Sequence, residues 1–141
     1  MNVNECMTKD VKVCAPTSTI RDAAATMKQI DSGILPVAEN DRMIGMITDR
    51  DIAIRAVAEN RGPDTPVREA MTQEVLYCFD DQDVEEVARQ MSKLQVRRMP
   101  VVSRDKRLVG MISLGDIAKA DDDEAGEALK GVTQPGGRHV Q

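Results

Sequence analysis

The sequence predicts an α/β (α+β) fold in which two β-α-β-β-α repeats pack about a pseudo-twofold axis through their sheets. Three observations lead there. The chain repeats itself, each copy runs through the same order of apolar patterns, and a copy of about 60 residues buries too little surface to stand comfortably alone.

The repeat is read by sliding the chain over itself. At a shift of 64 residues Met7-Thr8 meets Met71-Thr72, Val11 meets Val75, and Cys14 meets Cys78. At the same shift Met27 meets Met91 and Pro36-Val37 meets Pro100-Val101. One extra residue near Lys106-Arg107 moves the shift to 65. Gly45-Met46-Ile47-Thr48 then meets Gly110-Met111-Ile112-Ser113, and Asp51-Ile52-Ala53 meets Asp116-Ile117-Ala118. This divides the chain into a first repeat at 5–60, a linker at 61–68 rich in Gly and Pro, a second repeat at 69–120 and a tail at 121–141. The tail is acidic at its start and then rich in Gly and polar residues, a composition that predicts disorder.

Each copy opens with a short β-rich run, 11–14 or 75–79. A helix follows, started by Thr19 three residues before Asp22, or by Asp83 three residues before Glu86. Its apolar positions, Ile20, Ala23, Ala24, Met27 and Ile30, or Val84, Val87, Ala88, Met91 and Leu94, predict one buried face. Two strands come next, 34–38 and 43–48 around an Asn40-Asp41 turn, with counterparts at 99–102 and 108–113. A second helix starts at the Thr48 or Ser113 cap, running to about Asn60 in copy one and ending sooner in copy two.

Composition narrows the function. Net charge is −5, and the segment from Asp121 onward, five acids against Lys130 and Arg138, supplies −3 of it. A field of that sign repels phosphate backbones, and Tyr77 and Phe79 are the only aromatics, so nucleic acid is a poor partner. No apolar run reaches the roughly 20 residues of a membrane span, and the N-terminus lacks signal-peptide character; the expectation is a cytoplasmic protein with no membrane partner. Cys6, Cys14 and Cys78 form no CxxC, and His139 is the sole histidine, so no structural zinc pattern exists and the thiols read as buried packing groups. Phosphate-loop, dinucleotide and metalloprotease motifs are missing, and a cysteine nucleophile would lack its base. The chain is expected not to be an enzyme and to have no catalytic cofactor.

The informative residues close the third strand of each copy. A strand ending in Thr48 or Ser113, three residues before Asp51 or Asp116 at a helix start, puts a hydroxyl and a carboxylate on one rim. The hydroxyl can cap the helix or meet a phosphate oxygen, since helix N-termini favour anions. The carboxylate repels phosphate but accepts both hydrogens of a cis-diol, as in ribose. Helix capping alone is the competing account, and it explains the hydroxyls better than the paired aspartates. Read as an Asp-x-Asp metal site, Thr48-Asp49-Arg50-Asp51 has too few ligands for a calcium cage; Mg²⁺ arriving with ATP is the one metal role it leaves open.

These elements together resemble the CBS-domain family in its paired form, over roughly residues 5–120: Met-Thr opening each unit, Pro-Val on the second strand, and Gly-hydrophobic-hydrophobic-Thr/Ser-x-x-Asp. Thr48-Asp49-Arg50-Asp51 and Gln95-Val96-Arg97-Arg98 bring the chain closer to small stand-alone bacterial pairs of the hypoxic-response type and to the accessory pair of IMP dehydrogenase. The resemblance implies a regulatory adenine nucleotide (AMP, ADP or ATP) in the cleft between the repeats, a homodimer, and a regulated protein on a separate chain. Asp51 and Asp116 would hold ribose, with Thr48 and Ser113 beside the phosphate. Arg97 and Arg98, matched in copy one by Gly33 and Ile34, are the preferred phosphate cations, with Arg50 a further candidate. The adenine slot would be aliphatic: Val11 or Val13, Ile34 and Ile47, then Val75, Tyr77, Met99 and Ile112. Thr8 and Thr72 join it through the family's Met-Thr approach. Two other classes stay open, a ligand-free scaffold and a redox or metal sensor using Cys14 and Cys78.

Overall fold

The computed structural model describes residues 1–73 and 75–120; the expected tail at 121–141 lies outside them. The described chain forms α1 (Ile20–Ile30), β1 (Ile34–Glu39), β2 (Arg42–Thr48), α2 (Asp49–Asp51), β3 (Cys78–Phe79), α3 (Val84–Leu94), β4 (Arg98–Val102), β5 (Leu108–Ser113) and α4 (Leu114–Ala120). The second helix of copy one does run on past α2, through a wide π turn at Ile52–Ala56 and a tight turn at Val57–Glu59, ending at Asn60 with φ 61°.

The opening runs are shorter than their β-rich sequence predicts. In copy one only Cys14 makes a bridge, parallel to Val37; in copy two only Cys78 and Phe79 pair with β4. Both runs lie beside the first strand of a β-hairpin, which carries a proline, and Pro36 has no N–H to extend the ladder. The hairpins match expectation more closely. β1 and β2 close through Asn40 and Asp41 at φ 54° and 63°, the two left-handed residues that a two-residue turn needs. β4 and β5 close through the longer 103–107 loop that holds the extra residue.

Capping fixes the helix starts. Thr19 accepts from Asp22 N–H, whereas Asp83 bonds Glu85 N–H rather than Glu86. Along α1, Ile20, Ala23 and Met27 are buried, but Ala24 and Ile30 face solvent; the apolar stripe is narrower than predicted. α3 buries Val84, Val87, Ala88 and Met91 as expected.

The chain forms two compact units that do not coincide with its two repeats. The first unit is Lys12–Val75; the second joins Met1–Val11 to the described residues from Leu76 to Ala120. Each body therefore takes in the opening segment of the other repeat. In the first unit Val67 and Ala70 enter a core of Ile20, Ala23, Met27, Leu35, Val37 and Ile47. In the second, Val3 enters the core of Val84, Val87, Met91, Met99, Val101 and Ile112. The helix starts are held the same way: Ile20 N–H bonds Thr65 O at 2.9 Å, and Val84 N–H bonds Met1 O at 2.9 Å.

The repeated Gly and Met-Thr motifs are the two sides of this docking. Thr72 exchanges backbone hydrogen bonds with Met46, at 2.8 and 2.9 Å, and Thr8 does so with Met111 at the same lengths. A Cβ on Gly45 would stand 2.8 Å from Thr72 O, and one on Gly110 would stand 2.9 Å from Thr8 O. Only glycine lets the incoming strand come that close.

Candidate functional site

Each unit carries one hydroxyl-x-x-Asp rim where its hairpin runs into a helix. In the first, Thr48 Oγ1 accepts from Asp51 N–H at 3.0 Å, and Asp51 Oδ2 accepts from Thr48 N–H at 3.0 Å. In the second, Ser113 and Asp116 repeat the reciprocal pair at 3.1 and 3.0 Å. Capping is therefore real at both rims, and it engages the aspartates as well as the hydroxyls. It consumes one carboxylate oxygen's bond and leaves acceptor capacity on each group.

Around these pairs the units differ. The Thr72 hydroxyl lies 3.3 Å from both oxygens of Asp51, and Arg55 Nε is 3.7 Å from Asp51 Oδ1. Asp51 is only 8% exposed. Arg55 was missed by sequence reasoning. The signal was there, an arginine four residues after the aspartate on one helix face. Arg50, the residue chosen instead, is exposed, with its N–H bonded to Asp49 Oδ1 at 2.8 Å. Asp49 thus stays at the surface while Asp51 turns inward, so the Asp-x-Asp carboxylates do not converge. Among the described residues no three His, Cys, Asp or Glu side chains gather to hold a metal ion.

In the second unit Arg98 is the direct cross-strand partner of Ser113, as Ile34 is of Thr48. Directly paired residues share a face, so the Arg98 and Ser113 side chains leave the hairpin on the same face, with Asp116 three residues on at the helix start. Arg97 is exposed, and its carbonyl accepts from Leu114 N–H at 3.1 Å.

The aliphatic slot divides. Ile47, Met99 and Ile112 are fully buried in the two hydrophobic cores instead, on the strand faces opposite Thr48, Arg98 and Ser113. Period-two alternation puts neighbours on opposite faces, and the expectation overlooked it. Ile34, on the Thr48 face, is 1% exposed, and Val13 is 45% exposed. Val11 and Val75 are half-buried, as is Tyr77, which meets Phe79 edge-on at 5.6 Å. Thr72 belongs to the Asp51 rim; Thr8 occupies the equivalent place beside β5 but is exposed.

The Cys14 and Cys78 thiols are buried, 3.8 Å from the carbonyls of Pro36 and Pro100. Burial pushes the Cys14 pKa up to about 11 and that of Cys78 up to about 12. Both remain thiols at neutral pH, the chemistry of packing groups rather than of reactive thiolates.

Comparison with known proteins agrees with the fold. The CBS domain model matches residues 3–57 and 67–123. The CBS domain-containing protein YhcV of Bacillus subtilis is 38% identical over 134 residues, covering 94% of this chain and 95% of that protein. Hypoxic response protein 1 of Mycobacterium tuberculosis is 35% identical over 117 residues, 82% of this chain and 81% of that one. Inosine-5'-monophosphate dehydrogenase of Methanocaldococcus jannaschii is 33% identical over 82% of this chain but only 23% of the enzyme. Among solved structures, CBSX2 in complex with AMP superposes with a TM-score of 0.75 at 25% identity, covering 84% of this chain and 94% of that one. The CBS domain pair of protein MJ0100, in complex with methylthioadenosine and S-adenosyl-L-methionine, gives 0.73 at 29% identity, covering 85% and 94%.

Proposed function

Because this chain belongs to the CBS-domain family, we propose that it is a non-catalytic sensor that binds an adenosine nucleotide at a hydroxyl-x-x-Asp rim. The observation that carries the reading is the second rim. There a carboxylate suited to a ribose diol and a hydroxyl at a helix start are joined by the reciprocal cap of Asp116 and Ser113, and Arg98 is the cross-strand partner of Ser113. The AMP and adenosyl ligands of two structural relatives supply the chemical class. A planar guanidinium beside a hydroxyl suits a 5′-phosphate, while Asp116 suits the sugar and would repel the phosphate. The sensor acts as a homodimer and passes its state to a protein on another chain. A bound nucleotide does so by stabilising the conformation it fits best.

Titration calorimetry and thermal shift with AMP, ADP, ATP and S-adenosylmethionine test this. A ligand at one hundred times its Kd adds about 2.7 kcal/mol of stability. For a chain of this size that raises Tm by roughly 5–10 °C. Neither heat nor stabilisation from any of the four at millimolar concentration overturns nucleotide sensing and favours a ligand-free scaffold.

A further inference from the structure

The two rims are copies in sequence, yet their aspartates are in different chemical states. Both oxygens of Asp51 are engaged within the first unit: Oδ2 by Thr48 N–H, both by the Thr72 hydroxyl, and Oδ1 by the Arg55 guanidinium. Arg55 also donates from Nη1 to Met71 O at 3.1 Å, so one side chain ties the helix to the incoming 71–72 segment and neutralises the carboxylate. It sits within the wide turn at Ile52–Ala56, where Val57 N–H reaches back five residues to Ile52 O. Turns of this kind recur at functional sites.

Of these contacts only the cap is repeated at Asp116. The repeat places Ala120 where Arg55 stands and Gly115 where Arg50 stands. Among the described residues the Asp116 carboxylate accepts only from Ser113 N–H, and the Thr8 hydroxyl makes no bond to it. Arg98, across the hairpin from Ser113, has no acidic partner among the described residues. A ribose diol needs a carboxylate with acceptor capacity to spare, and a phosphate needs a cation not already paired. The second rim offers both, while the first has satisfied its carboxylate internally and sets Ile34 where the cation would be.

We infer that the rims are not equivalent: ribose and 5′-phosphate bind at Ser113–Asp116 with Arg98, whereas Arg55 and Thr72 hold Asp51 shut. This rests on the nucleotide-binding reading above and assigns Arg55 as the residue that restricts occupancy.

AMP titrated calorimetrically into the full chain tests it. The parent takes up one AMP strongly per chain. Asp116→Asn and Arg98→Gln each weaken that site at least tenfold, while Asp51→Asn, which keeps a capping oxygen, leaves it within about twofold. Arg55→Gln combined with Thr72→Val exposes Asp51 and brings a second AMP per chain. Circular dichroism on every variant separates loss of binding from loss of fold, and a variant that melts like the parent counts. Two equal sites in the parent, a larger loss from Asp51→Asn than from Asp116→Asn, or no second AMP in the folded double variant overturns the inference while leaving nucleotide sensing standing. Absence of any AMP heat from the parent removes both.

Discussion

A hydrogen on Gly45 or Gly110 stands where any other residue would drive a methyl into a backbone carbonyl. Neither carbonyl can swing away, because Thr72 and Thr8 are bonded in both directions to the strands beneath them. Gly45→Ala and Gly110→Ala should each destabilise by about 1–3 kcal/mol in urea titration, the usual cost of forced overpacking. Gly62, with nothing within 4 Å of its would-be Cβ, is the control; Gly62→Ala should be neutral or stabilising by up to about 1 kcal/mol. The cysteines give a pH dependence. Folding raises both thiol pKa values from 9.0, so the unfolded chain loses these protons first. Their contribution is intact below pH 9 and lost as pH climbs through about 11 to 12, at about 1.4 kcal/mol per pH unit for each thiol across its window. Cys14→Val with Cys78→Val should flatten that alkaline loss in denaturation at pH 8 to 11, and an unchanged slope would place its origin elsewhere. At this scale the sequence exposed Thr48, Asp51, Ser113 and Asp116, because a repeated polar motif stands out from apolar surroundings. It concealed Arg55, whose role depends on a helical neighbour relation. It misplaced Ile47, Met99 and Ile112, whose facing follows from strand alternation.

The helices start where polar caps predict but end where no glycine announces it. α1 stops at Asp31 and α3 at Gln95, both left-handed, at φ 54° and 57°. An aspartate tolerates that conformation at a cost that glycine avoids. Asp31 is exposed, so Asp31→Gly should raise stability by up to about 1 kcal/mol, read as a shift in urea midpoint at constant slope. Thr19→Ala removes the acceptor for Asp22 N–H and should cost about 1 kcal/mol without touching nucleotide affinity. The hairpin strands were legible within one or two residues, since their apolar runs are bounded by turn residues. The opening runs were not, because pairing depends on a neighbour strand and only Cys14 and the Cys78–Phe79 pair find one.

The molecule as a whole is two repeats by descent and two units by packing, and the boundaries are offset. A fragment of residues 1–64 and one of residues 12–75 have equal length, but only the second contains a complete unit. The 12–75 fragment keeps Val67 and Ala70 in its core and the Thr72 bond to Asp51; the 1–64 fragment lacks all three. Fragment 12–75 should show the greater helical circular dichroism and the sharper thermal transition. The reverse order would mean that the repeat, not the compact unit, is what folds. A milder form of the test is Val3→Ala, which should cost about 1–3 kcal/mol although the residue lies far in sequence from the core it fills.

Sequence alone determined the duplication, the order of strands and helices, the two hydroxyl-x-x-Asp rims and the family, because each of these is written in local patterns recurring at a constant spacing. Tertiary structure alone decided which repeat's opening segment completes which unit, since burial of Val3 and Val67 is a contact between residues distant along the chain. It also decided that Asp51 is bonded by Thr72 and Arg55 while Asp116 is not. The two rims share the hydroxyl-x-x-Asp pattern and a Met-Thr approach. Folding brings Thr72 and Arg55 to Asp51, whereas the second copy leaves the Thr8 hydroxyl unbonded to Asp116 and has Ala120 in place of Arg55.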